Sequence, residues 1–257
     1  IWNDETQKGQ SGVQQLRVVE DIFWGISSSD IAFSPRAGGS EKVVACGAGC
    51  YAVVDTGTSL FAVPSNMYNQ IFNALDEWMQ TGLPADTPAD CSDLSAFPDL
   101  VMMVDGVKLS FPPSSYIGSY TGFAKKGLER FVRTDRFKKT GCQLLLMDLG
   151  FPEVNQYGPM IILGMPFFRE YYTTFDLGSF GGAMSRSIFV QKAGTSCAQA
   201  AAGNIMTADK ERGNSDDEER QEREYAYVPR KVDASKLRVP KWLGRAKLHH
   251  ARGKGTA

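Results

Sequence analysis

Apolar positions along the first three quarters of the chain fall into short runs broken by Gly, Pro, Asp and Ser. That pattern predicts many short strands joined by turns, a mainly β domain. Strands are expected at residues 22–26, 43–45, 51–54 and 100–104. Asp105-Gly106 separates residues 100–104 from a second apolar run, 107–111, and predicts a tight hairpin. One segment carries the helical period instead. After Pro64-Ser65, Met67, Ile71, Leu75 and Trp78 recur at a spacing of three to four, which predicts a core-facing helix over residues 65–79.

The pattern changes near Gly194. Beyond it the chain is Ala-rich, then mixed in charge, then basic, with sparse apolar clustering. The chain is therefore expected to divide into a folded domain over residues 1–193 and a charged, disordered tail over residues 194–257. Residues 121–140 hold Lys125, Lys126, Arg130, Arg133, Arg136, Lys138 and Lys139, interleaved with Phe123, Phe131 and Phe137. A polyanion-binding loop is one reading of that stretch, and a solvated surface insertion is the preferred one.

Composition narrows the function classes little. The 257 residues are 42% hydrophobic and 22% charged, with a formal net charge of -1. That suits a globular domain with a sizeable core and names no partner by bulk charge, so no nucleic acid is expected. No apolar run is long enough to span a membrane, and no leader segment is visible at Ile1. Cys46 and Cys50 bracket Gly-Ala-Gly, flexible enough to let two sulfurs meet, while Cys91 and Cys142 could close a longer loop. Two disulfides would imply an oxidising compartment. The alternative, a zinc site, lacks nearby partners, because the two histidines, His249 and His250, lie far away in the tail. Cys197 is left over. No metal or cofactor is expected.

Candidate chemistry concentrates in Ala52-Val-Val-Asp-Thr-Gly-Thr-Ser-Leu-Phe61. A strand ending in Asp-Thr-Gly holds the Asp55 carboxylate at its tip. Gly57 permits close backbone approach, and Thr56 and Thr58 bring hydroxyls near the carboxylate. The tripeptide alone would also fit an Asx turn. The apolar strand before it, the Thr-Ser-Leu continuation and the Pro-Ser helix start add independent support.

The longer run Ala45-Cys-Gly-Ala-Gly-Cys-Tyr-Ala-Val-Val-Asp-Thr-Gly-Thr-Ser-Leu60 resembles the second active-site segment of the pepsin-like aspartic proteases. Ile22-Phe-Trp-Gly-Ile26 and Ile31-Ala-Phe33 resemble the strand pair before that segment. Two later stretches resemble the family as well. One is Phe97-Pro-Asp-Leu-Val-Met-Met-Val-Asp-Gly-Val107 with Pro112-Pro-Ser-Ser-Tyr-Ile117. The other is Ile161-Ile-Leu-Gly-Met-Pro-Phe-Phe-Arg-Glu-Tyr-Tyr-Thr-Thr-Phe-Asp176, which is similar to the closing motif. The four segments follow the family's order and cover about residues 16–192.

The resemblance implies one lobe of the bilobal acid protease fold, antiparallel sheets with a few short helices, to which the disordered tail read from composition is added. It implies an aspartic endopeptidase in which Asp55 is the second catalytic aspartate. Thr56 would join an interlobe hydrogen-bond network, Gly57 would offer its N–H, and Thr58 would bond the outer carboxylate oxygen. Ile161, Ile162, Leu163 and Gly164 would form a strand threaded through the loop around Asp55. Val53 and Ile161 would line the substrate pocket. The pairings Cys46–Cys50 and Cys91–Cys142 also follow from the resemblance. The implied partners are an N-terminal lobe bearing the other aspartate, from the same precursor or a separate chain, and a polypeptide substrate. The implied location is the secretory pathway, an endolysosomal or vacuolar compartment, or the extracellular space. The first Asp-Thr-Gly lobe and its flap are absent from this chain, and Met165 stands where many members carry Asp. Two other readings fit the fold: a one-lobe homodimeric protease, and a non-catalytic binding or decoy module.

Overall fold

The computed structural model describes residues 12–81, 92–132, 143–150, 154–178, 186–193, 230–240 and 243. It is mainly β, with few short helices. In chain order the strands are β1 (Gln14–Arg17), β2 (Gly25–Ser34), β3 (Lys42–Ala45), β4 (Cys50–Val54) and β5 (Phe61–Val63). The helix α1 (Ser65–Thr81) follows, then the hairpin β6 (Asp99–Val104) and β7 (Val107–Phe111), and the short α2 (Pro113–Tyr116). Next come β8 (Ile117–Thr121), β9 (Gln143–Leu144), β10 (Leu146–Asp148), β11 (Val154–Asn155) and β12 (Gly158–Leu163). Helix α3 (Met165–Glu170), β13 (Tyr171–Asp176), β14 (Ser187–Lys192) and β15 (Arg230–Asp233) complete the described set.

The central sheet runs β10-β5-β12-β4-β2-β6-β7, with β11 on β12 and β3 on β2. Two smaller sheets flank it, ordered β1-β14-β13 and β15-β8-β9. Alternation along the middle strands sorts residues to opposite faces. From β12, Ile161 and Leu163 enter the main core, whereas Ile162 enters a second cluster on the other side. From β4, Ala52 and Val54 face the main core, while Tyr51 and Val53 join a third cluster with Met160. Strands buried on both faces read as continuous apolar runs, which is how β4 and β12 appear in the sequence.

The predicted hairpin forms at Asp105-Gly106, where both residues take positive φ, 45° and 78°. Helix α1 spans the predicted segment and buries Met67, Tyr68, Ile71 and Leu75. Two readings need correction. Residues 22–24 are not strand and Ile22 is 80% exposed, so the expected strand pair is one continuous strand, β2. Asp30, at φ 50°, absorbs the irregularity where pairing with β6 shifts between Ser29 and Ala32. The charged tail is corrected over residues 230–240: β15 adds in parallel to β8, and Ala234, Leu237 and Leu243 are buried in the second cluster. Their apolar positions are diluted by basic residues in any linear window, yet they fall on one side of the folded segment. In the basic stretch, Phe131 and Val132 are buried while Phe123 is 92% exposed. Residues 133–140 and the rest of the tail lie outside the described residues.

One ion pair ties the hairpin to β1. Asp105 accepts from the Arg17 backbone N–H at 2.8 Å, and its Oδ1 meets the guanidinium Nη2 at 2.9 Å. Burial alone would raise the Asp105 carboxyl, but the hydrogen bonds and charge of Arg17 outweigh it and hold it below its ordinary value. A lowered folded value stabilises above the unfolded pKa, about 3.9, and that contribution fades as pH falls through the folded value. Asp105→Asn, which tolerates the same turn conformation, should therefore lower the melting temperature at pH 7 by about 2 °C, modest because Arg17 is largely solvated. The difference between wild type and variant should shrink as pH falls below the unfolded value, about 3.9, and close once pH is below the lowered folded value, as read by scanning calorimetry across pH.

Candidate active site

Asp55 stands at the tip of β4, where the chain leaves the central sheet. Strand β12 lies beside β4 in parallel register, with Ile162 opposite Val53 and Leu163 opposite Val54. The Asp55 N–H donates to the Leu163 carbonyl at 3.0 Å, and the Met165 N–H donates to the Thr58 carbonyl at 2.9 Å. These two bonds fasten the 55–58 turn to both sides of Gly164. A side chain at Gly164 has no room: its Cβ would lie 2.3 Å from the Leu60 carbonyl oxygen and 2.5 Å from that of Thr58. The chain thus passes through the loop at the single residue without a side chain.

Both carboxylate oxygens of Asp55 are held. Oδ1 accepts the Gly57 N–H at 2.9 Å, and Oδ2 accepts the Thr58 hydroxyl at 2.6 Å. Thr58 is fully buried, so water does not compete for its hydroxyl. A Cβ at Gly57 would sit 3.2 Å from Oδ1 and crowd the carboxylate. The strand before the site is anchored in turn, the Val54 N–H donating to the Trp24 carbonyl at 2.9 Å. Trp24 packs on Phe175 with ring centroids 4.8 Å apart. A carboxylate held by two short bonds on a rigid strand end is set to act as a proton acceptor or donor at a fixed point.

Removing one of these donors has a measurable cost. Thr58→Val keeps the volume of the side chain and deletes the hydroxyl, leaving Oδ2 without its donor. Urea unfolding at pH 7 should register a loss of about 1.5–2 kcal/mol, the lower part of the range for a hydrogen bond to a charged group because the carboxylate is partly exposed. Thr58→Ser, which keeps the hydroxyl, should recover most of it.

The other residues singled out in the sequence distribute as follows. Thr56 and Gly57 are exposed at the tip of the turn. Ile162 is fully buried and opposite both Val53 and Ala62. Val53 and Ile161, expected to line a substrate pocket, are 3% and 1% exposed and packed in the interior. Alternation along the strands turns Val53 toward Tyr51 and Met160, and Ile161 into the main core. Cys46 and Cys50 form a disulfide across the β3–β4 turn, with Cα atoms 5.6 Å apart. Cys91, Cys142 and Cys197 lie outside the described residues. Ser59, with no role expected from sequence, uses both its N–H and its hydroxyl, bonding the backbone of Arg238 at 3.1 and 2.9 Å. Nothing local to Ser59 signals a partner that distant. Among the described residues, no group of three His, Cys, Asp or Glu side chains could hold a metal ion. No described helix is long and apolar enough to cross a membrane.

Comparison with known proteins adds an independent line. Residues 4–181 match the family model described as eukaryotic aspartyl protease. Pepsin A of Gallus gallus is 29% identical over 165 residues, covering 64% of this chain and 36% of that protein. Gastricsin of Homo sapiens is 30% identical over 167 residues, covering 63% and 35%. Pepsin A of Bos taurus is 29% identical over 180 residues, covering 70% and 41%. The chain therefore spans between about a third and two fifths of the length of these relatives.

Proposed function

Because the chain belongs to the eukaryotic aspartyl protease family, we propose that it is one lobe of an aspartic endopeptidase and supplies Asp55 as one of two catalytic carboxylates. The observation that carries this reading is the pinning of both Asp55 oxygens at the end of β4, by Gly57 and Thr58. The second carboxylate comes from a complementary lobe. The exposed Thr56 lies at the rim where such a lobe would meet this one, suited to an interlobe hydrogen bond. Residues 1–193 make up the body of the lobe, and residues 230–240 join it.

Two carboxylates about 3 Å apart cannot both ionise, so the pair shares one proton. The ionised group takes a proton from a water held between them. The protonated group hydrogen-bonds the scissile carbonyl oxygen as the water oxygen adds to the carbon. The resulting tetrahedral diol collapses, the C–N bond breaks, and the nitrogen leaves as an amine after receiving a proton. In this chain, the Gly57 N–H and the Thr58 hydroxyl fix where the Asp55 oxygens point during these transfers. No step requires a metal or a cofactor. The substrate is an extended polypeptide held between the two lobes. The Cys46–Cys50 disulfide favours an oxidising location, in the secretory pathway, an endolysosomal compartment or outside the cell.

The reading is tested by assaying cleavage of a denatured polypeptide at acid pH. The chain should be inactive alone and active once combined with a complementary aspartate-bearing lobe. Cleavage by the pure chain alone, lost on replacing Asp55, would overturn the two-lobe division of labour.

A further inference from the structure

Residues 230–240 and Leu243 lie beyond residues 4–181, the part of the chain that matches the family model, yet they are built onto the lobe. Strand β15 adds to the edge of β8 in parallel, with Arg230 opposite Gly118 and Asp233 opposite Thr121. The Asp233 carboxylate then caps a short 3-10 turn, Ala234–Lys236. Beyond the turn, Arg238 meets Ser59, its carbonyl accepting the Ser59 N–H and its own N–H donating to the Ser59 hydroxyl. Ser59 directly follows Thr58, the donor to Asp55.

We propose that this segment is a tethered peptide ligand, seated in a peptide-binding groove that runs from β8 to the Asp55 loop. The groove takes a peptide that starts as a strand and turns once, with apolar residues facing inward and basic residues facing out. Three observations carry this. The backbone contacts are of the kind any extended peptide can make, strand addition on a free edge and a reciprocal clamp at Ser59. The lobe is shaped to admit a backbone here. A Cβ at Gly118 would lie 2.4 Å from the Arg230 carbonyl oxygen, and one at Gly122 would lie 3.0 Å from an Asp233 carboxylate oxygen. Gly118 does not need a positive φ, so crowding is what excludes a side chain there: the Arg230 backbone comes nearest, and the flexible end of Leu145 follows at 2.8 Å. Finally, the inward side chains Ala234, Leu237 and Leu243 cover an apolar floor that includes Phe131, Leu145 and Met147, while Lys231, Lys236 and Arg238 face solvent.

Occupancy of the groove is read by binding, so it stands or falls separately from cleavage at Asp55. The experiment uses the full chain and a fluorescent peptide with the sequence of residues 228–244. In the wild type the covalently attached segment already fills the groove, so micromolar peptide should not enter. Leu237→Asp with Leu243→Asp releases the inner anchors and leaves the groove intact. That variant should bind the peptide at least tenfold more tightly than the wild type. Adding Gly118→Ala should abolish the binding, because the new Cβ blocks the incoming backbone as well. Gly118→Ala alone should speed amide exchange at Ser59 and across residues 117–121 at least tenfold. The proposal is overturned if the double variant fails to bind the peptide, or if exchange in Gly118→Ala is unchanged. It is equally overturned if both variants lose native circular dichroism, since the segment would then be part of the core and not a ligand.

Discussion

Asp55→Asn, made in the chain combined with its complementary lobe, is expected to lower kcat/KM for peptide cleavage by about a thousandfold or more. Loss of a positioned proton acceptor removes a contribution that ranges over two to four orders of magnitude, and here it also destroys the shared-proton pair. Asn preserves the shape of the side chain. Its amide oxygen can still accept the Gly57 N–H, which is 2.9 Å from Oδ1 in the native turn. The Thr58 hydroxyl, a donor to Oδ2 at 2.6 Å, can rotate and accept from the new amide. Stability should therefore change by no more than about 1 kcal/mol, as for one polar exchange with partners retained. What Asn cannot do is carry charge or take a proton from water. The prediction separates chemistry from folding, because the rate collapses while the melting curve stays in place. Retention of cleavage within tenfold of wild type would remove Asp55 from the reaction.

Local chemistry explains why much of this site was readable in advance. Asp55, Gly57 and Thr58 lie within four residues of one another, and a strand end followed by Thr-Gly-Thr dictates its own hydrogen bonds. The Asp105-Gly106 hairpin and α1 were legible for the same reason, since turn residues and helical spacing act over short stretches. Elsewhere the outcome depended on contacts remote in sequence. Burial of Val53 and Ile161 follows from the pairing of β4 with β12, which settles which way each side chain points. The docking of residues 230–240 depends on β8 offering Gly118 to Arg230, and on Ser59 offering two polar atoms to Arg238. No window around Arg230 or Arg238 contains that information. Low apolar density reads as lack of structure, yet Ala234, Leu237 and Leu243 suffice to bury this segment once β15 pairs with β8.

Gly164→Ala is expected to have the largest effect on stability, costing at least about 3 kcal/mol, the upper range for overpacking a rigid interior. The backbone of Gly164 has φ -90° and ψ -151°, a conformation open to alanine, so backbone strain is not the source of the cost. The source is the ring of carbonyls around it. The added Cβ would lie 2.3 Å from the Leu60 oxygen, 2.5 Å from the Thr58 oxygen and 3.0 Å from the Thr58 carbonyl carbon. These are backbone atoms that cannot rotate aside. The Thr58 oxygen is also held by the Met165 N–H, and Asp55 is held by Leu163, so relief would require the 55–60 loop to lift off β12. Lifting it would break both bonds and displace the buried Thr58 from Asp55. Urea unfolding should thus show a midpoint far below that of the wild type, or only insoluble chain. Gly57→Ala is the matched control: the atoms nearest its Cβ belong to the Asp55 carboxylate, at 3.2 Å, so it should disturb activity more than stability. A Gly164→Ala chain with a midpoint equal to that of the wild type would mean that β12 does not thread the Asp55 loop, and the rigid support assigned to the carboxylate would go with it.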